Sequence, residues 1–107
     1  MSRTTKTEQA EAIERLREWI NPGDIIYTIT RHRSASGMLH VLQPIVFRDN
    51  EPRYLGYNVC AALGLSYDKK HEGVKMTGCG YDKGYQIAYD LGYLLFGDSY
   101  ALNHRSL

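Results

Sequence analysis

Cysteine is scarce in this chain: Cys60 and Cys79 are the only two in 107 residues. The opening stretch, Met1 to Glu8, has none of the apolar run of a secretory leader. Two cysteines in that context read as reduced thiols and not as a disulfide framework. No segment approaches the roughly 20 consecutive apolar residues of a bilayer span. The expected location is therefore the cytoplasm, with no membrane partner. Excess charge is also missing, since 13 lysines and arginines meet 12 acids for a net charge of +1. That balance argues against a strongly cationic duplex-binding surface, and nucleic acid is not an expected partner, although a local patch can hide inside an average. His32, His40, His71, Cys60 and Cys79 show no zinc-site spacing, so no metal or cofactor is expected. Phenylalanine is rare at two, against nine tyrosines. Tyrosine joins a flat apolar face to a hydroxyl, which suits half-buried positions and interfaces.

What remains is ordinary globular material, 43% hydrophobic and 23% charged. A chain of this length makes one domain, 1–107, with 1–6 and 98–107 expected to be loose. Ile13, Leu16, Trp19 and Ile20 follow helical spacing, and Asn21-Pro-Gly-Asp24 ends that helix. The β-branched run Ile25 to Thr30 predicts a strand, broken by the polar Arg31 to Gly37. Met38 to Phe47 predicts a second strand, pairing antiparallel with the first. Pro44 inside it argues for an edge position or a bulge. Gly56 to Leu63 predicts a short helix capped by Gly64, Tyr67 to Glu72 a polar loop, and Gly73 to Met76 a brief strand. Tyr85 to Phe96 is the clearest amphipathic helix, with Gly92 placed for close packing on the sheet and Gly97 at its end. The expected fold is α+β, a small antiparallel or mixed sheet of about three strands with about three helices, in the order α-β-β-α-β-α.

The densest chemistry lies in Thr77-Gly-Cys-Gly-Tyr-Asp-Lys-Gly84, just before that last helix. Glycines let backbone N–H groups turn toward one point, and the N-terminus of a helix adds its own. The simplest reading is structural: Gly78 and Gly80 permit a sharp strand-to-helix turn and Gly84 a close contact. The second reading is an anion site, with Lys83 for phosphate and Tyr81 for stacking on a base. The third is a reactive Cys79 thiol, acidified by the helix end and Lys83. Asp82 is expected to cap the helix. The segment is neither a P-loop nor a Gly-x-Gly-x-x-Gly fingerprint.

Arg31-His-Arg-Ser-Ala-Ser-Gly37 forms a second polar cluster, between the first two strands. Arg31 and Arg33 offer forks for phosphate oxygens, while His32, Ser34 and Ser36 add further polar groups. A solvated hairpin loop has the same composition. The two clusters become one site only if the fold brings them together, and both lie at strand ends. They are expected to meet in a shared concavity at the end of the sheet, with the following helix aimed inward.

Three segments in order, Ser34-Ala-Ser-Gly-Met38, Tyr67-Asp-Lys-Lys-His-Glu-Gly73 and Gly78-Cys-Gly-Tyr-Asp-Lys-Gly84, resemble a widespread family of small, mostly uncharacterised proteins of bacteriophages and prophages. The resemblance spans roughly Ile25 to Phe96. Tyr81 and Lys83 stand where that family has methionines. The resemblance implies a phage-encoded accessory protein acting in the bacterial cytoplasm against host immunity. The leading expectation is a non-catalytic protein that binds a nucleotide or other phosphorylated small molecule and sequesters an immune signal. The alternatives are a protein-binding inhibitor of a host defence complex, such as a CRISPR effector, and an enzyme using Cys79 with His40, His32 or His71 as base. A homodimer fits the small core and the many tyrosines.

Overall fold

The computed structural model describes the backbone of residues 5–33, 39–76 and 80–107, and the side chains of these except 31–33, 39, 40, 76, 80 and 81. Helix α1 spans Lys6–Trp19. Thr5 is its N-cap: the Thr5 hydroxyl accepts from the Glu8 backbone N–H at 3.1 Å and donates to the Glu8 carboxylate. Strands β1 (Ile25–Arg33), β2 (Leu39–Arg48) and β3 (Glu51–Tyr54) follow, then α2 (Gly56–Leu63), β4 (Tyr67–Asp68), β5 (Gly73–Met76), α3 (Gly80–Phe96) and β6 (Asn103–Ser106).

The result is an α+β fold with three helices and a six-stranded mixed sheet, which overturns the expected three-strand α-β-β-α-β-α order. The strand order is β4-β5-β2-β1-β6, with β3 also paired to β2. Three short strands are new. β3 returns from β2 through Asp49 and Asn50, at φ 54° and 66°, the two left-handed residues of a tight hairpin. β4 is cut from the segment expected to be loop. β6 comes from the tail expected to be loose, and it pairs parallel to β1, Ile25 opposite Asn103.

The sequence places Pro44 in an edge or bulged strand, but β2 is central, bonded to β1 on one side and to β5 and β3 on the other. The Pro44 carbonyl accepts from Leu55 N at 2.9 Å. Proline has no N–H to return, so the Leu55 carbonyl is left to accept from Val59 N at 2.8 Å, the first bond of α2. The missing donor thus falls where the sheet hands over to a helix.

Alternation divides the sheet into two faces. Ile26, Leu42, Val46 and Val74 point to one of them and join Leu16, Ile20, Val59, Ile87 and Leu91 from all three helices in a single buried cluster. Each such leucine or isoleucine contributes about 2 kcal/mol by burial. Arg48 clamps this layer from the edge, donating to the Trp19 carbonyl at 2.8 Å and pairing with Asp24. The Asp24 carboxylate holds the Arg48 guanidinium above its ordinary pKa. Val41 and Ile45 point the other way and are buried outside that cluster.

Glycine is required at Gly84, where a Cβ would sit 2.1 Å from His104 Nε2. A Cβ at Gly92 would fall 2.8 Å from the Asp98 carbonyl, so its close contact is with the turn after α3 and not with the sheet. Gly64 and Gly97 hold left-handed conformations at the ends of α2 and α3.

Candidate functional site at one end of the sheet

The expected polar clusters are both anchored on strands whose direction is known. β1 does not break at Arg31: it continues to Arg33, with Arg31 opposite Val41, His32 opposite His40 and Arg33 opposite Leu39. His40 is in turn opposite Met76, the last residue of β5. The C-terminal end of β1, the N-terminal end of β2 and the C-terminal end of β5 therefore lie side by side. The connections 34–38 and 77–79 leave from that same end. His32, His40 and Met76 form one row across three strands of backbone.

Helix α3 begins at Gly80, three residues into the glycine segment and a turn or more before the expected Tyr85. This corrects the role given to Asp82, which lies within the first turn and is exposed, so it is not the cap. A carboxylate there still favours the helix by meeting the positive end of its dipole. Lys83 is half-buried in the same turn. Since β5 and β6 are both parallel to β1, the path β5-α3-β6 is a β-α-β crossover. In such units ligands bind beyond the carboxyl ends of the strands, where the loop meets the helix N-terminus. Ser34, Ser36, Gly78 and Cys79 lie outside the described residues, as does the expected concavity between the two connections. For Arg31, His32, Arg33, His40, Gly80 and Tyr81 the structure describes the backbone position.

The other candidate groups have clear surroundings. Cys60 is buried, its thiol pushed up to about 12 by desolvation, and it contacts the Ser66 carbonyl at 3.7 Å. It is an inert core residue at neutral pH. His71 Nδ1 meets Asp68 Oδ2 at 2.9 Å, and Asp68 Oδ1 accepts from the backbone N–H of Lys70 and His71. The His71 hydrogen bond is the main cause holding the Asp68 carboxyl below its ordinary pKa. The Tyr-Asp-Lys-Lys-His segment is thus a braced turn whose local bonds account for Asp68. Burial, followed by the Glu72 charge, raises the Tyr67 phenol. Among the described residues no group of three or more His, Cys, Asp or Glu is placed to hold a metal.

Sequence reasoning missed His104. β6 carries it under α3, where Nε2 lies 2.8 Å from Thr28 Oγ1 and the ring meets Tyr85 edge-on, centroids 4.8 Å apart. Burial lowers its pKa and so favours the neutral imidazole. From His104 an aromatic series runs outward along α3, Tyr85 to Tyr89 at 6.1 Å and Tyr89 to Tyr100 at 5.6 Å. Its only sequence signal was the tyrosine count. No described helix is long and apolar enough to cross a membrane. No family model, curated protein or solved structure matches the chain.

Proposed function

We propose that this is a phage-encoded accessory protein that binds a nucleotide or other phosphorylated small molecule at the end of the sheet where β1, β2 and β5 converge, in the cytoplasm of the bacterial host. The observation that carries the reading is the strand register: Arg33 opposite Leu39 and His40 opposite Met76 bring both polar connections to one end, with α3 starting four residues beyond Met76. Backbone donors of a helix N-terminus and Lys83 suit a phosphate, Arg31 and Arg33 hold register positions on the Val41 side of the same strand end, and the protein acts by holding the ligand, with no bond changed. The phage context and the sequestration of an immune signal come from the resemblance of the three ordered segments.

A second reading, an inhibitor that docks on a host defence protein, draws on the exposed tyrosines of α3 and the following turn. Tyr93 is 68% and Tyr100 77% exposed, beside the acids Asp90 and Asp98. One experiment separates the two. Isothermal titration with a panel of linear and cyclic nucleotides is expected to give binding that Arg33→Ala and Lys83→Ala each weaken at least tenfold (~1.4 kcal/mol) and that Tyr93→Ala leaves unchanged. A folded protein that takes up no nucleotide at roughly 100 μM, a ligand level corresponding to about 5.5 kcal/mol of binding, overturns the first reading.

A further inference from the structure

The side of the sheet turned away from the helices carries one aromatic residue from each of three neighbouring strands. Tyr27 of β1 is opposite Ile45, Phe47 of β2 is opposite Pro52, and Tyr54 of β3 is opposite Ile45 on its other flank. Tyr27 and Phe47 meet edge to face at 5.1 Å, while Phe47 is 38% and Tyr54 54% exposed. The middle of this face is buried, at Val41, Ile45 and Gln43, and aromatic rings stand at its rim where a water-facing side usually carries polar residues.

Charge on this face is one-sided. Lys75, opposite Val41, and Arg105, opposite Tyr27, are exposed on β5 and β6: Arg105 shares the row of Tyr27 and Tyr54, and Lys75 lies four residues along β2 from that row. Among the described strand positions of this face the only acid is Asp68, at the β4 edge and already bonded to His71. Most of the acids that bring the chain close to neutrality ride on α1, α3 and the turns. The floor of the face adds a polar group: Gln43, opposite Ile29, is 2% exposed, and its Oε1 has no hydrogen-bond partner. A buried acceptor without a donor destabilises a protein that gains nothing from it.

We propose that this face is a stacking platform for single-stranded nucleic acid, separate in its residues from the sheet-end site. Phe47 and Tyr54 take unpaired bases, Arg105 holds the backbone beside them and Lys75 farther along β2, and the Gln43 carboxamide supplies the polar group beneath. Lys75 and Arg105 are three strand spacings across the sheet and four residues along it from one another, about 20 Å, which suits a run of a few nucleotides. Stacking on aromatic faces requires unpaired bases and tolerates any sequence. So few cations would hold a duplex weakly.

The test is fluorescence anisotropy with short labelled oligothymidine and oligouridine at low salt, with an unlabelled duplex as competitor. The expected result is binding that weakens as salt rises, resists the duplex, and falls about tenfold in Phe47→Ala and in Tyr54→Ala. Lys75→Glu is expected to flatten the salt dependence. Gln43→Leu is expected to weaken binding while its melting temperature holds or rises, which separates a ligand role from a structural one. No anisotropy change at roughly 100 μM protein, or undiminished binding in the Phe47→Ala/Tyr54→Ala double variant with native circular dichroism, overturns the proposal. So does a dimer in light scattering that Tyr54→Ala dissociates, in the absence of oligonucleotide binding, since the face then belongs to a second copy.

Discussion

The two faces of the sheet are made from the same strands and from similar residue types, yet they do different work. On one, Ile26, Leu42 and Val46 disappear beneath three helices. On the other, Val41 and Ile45 are also buried, but the rings that rim them, Phe47 and Tyr54, stay exposed. A period of two lets a single strand serve both purposes at once. The covered face packs against the helices and the other is buried only at its middle, so apolar content alone does not report which positions hold the fold together.

Truncation is the strongest way to break this comparison. Leu42→Ala removes a fully buried side chain from the helix-covered cluster and is expected to cost about 3 kcal/mol. Tyr54→Ala, on the rimmed face, is expected to cost less than about 0.5 kcal/mol. Urea unfolding of both variants measures the difference, and equal losses would mean that both faces are core. A smaller effect is expected at the clamp on the edge of the covered layer. Arg48→Ala loses the bonds to the Trp19 carbonyl and Asp24 and is expected to cost about 2 kcal/mol. The same denaturation series should show it destabilising the protein more than Lys75→Ala, whose side chain is exposed.

Acid gives the finest discrimination, because among the described residues each face holds one shifted group that titrates in the acid range. Burial on the covered face lowers the His104 pKa from its ordinary 6.5. The unfolded chain then takes up the proton first, so the His104 contribution is complete above about pH 6.5 and declines as pH falls through and below that value. Asp68, at the edge of the rimmed face, is lowered from 3.8, chiefly by its bond to His71. Its contribution is complete above that value and is lost only as pH drops further, through the folded pKa. Unfolding free energies at about pH 7.5 and 5.5 should differ in the native chain and less in His104→Gln, whereas Asp68→Asn should leave that interval unchanged.

Much of the helical layer was legible in the sequence, and the sheet was legible only in part. The apolar spacing of α1 and the glycine after α2 are local signals, and they need no partner to be read. β3 consists of Glu-Pro-Arg-Tyr, all exposed, and is a strand because β2 offers it an edge. β6, Asn-His-Arg-Ser, has no strand propensity and owes its conformation to β1. Without β6 the β-α-β crossover could not be seen, which is why the glycine segment looked like an isolated loop. Gly80 and Gly84 likewise hid the first turn of α3, since glycine disfavours helix while the ring of His104 demands it at position 84. The candidate site shows the same division. Its residue types were visible, but which strand ends lie side by side depends on the register of β1, β2 and β5, which is a tertiary fact. The charge average concealed the face carrying Lys75 and Arg105, because most acids that balance it sit on the helices and turns.

The parallel strand β6 also shapes the order in which this fold can assemble. Thr28 and His104, joined through one hydrogen bond, are 76 residues apart in sequence. Closing so wide a loop is entropically expensive, whereas the β1-β2-β3 hairpins close locally. The hairpins are therefore expected to form early and β6 to dock last, once α3 has settled with Gly84 open to receive the His104 ring. Until that step the outer edge of β1 presents unpaired backbone groups, an adhesive surface in the partly folded chain. The final four-residue strand acts as the closure of that edge, and the rate at which it seats sets how long the nascent fold stays vulnerable to pairing with another chain.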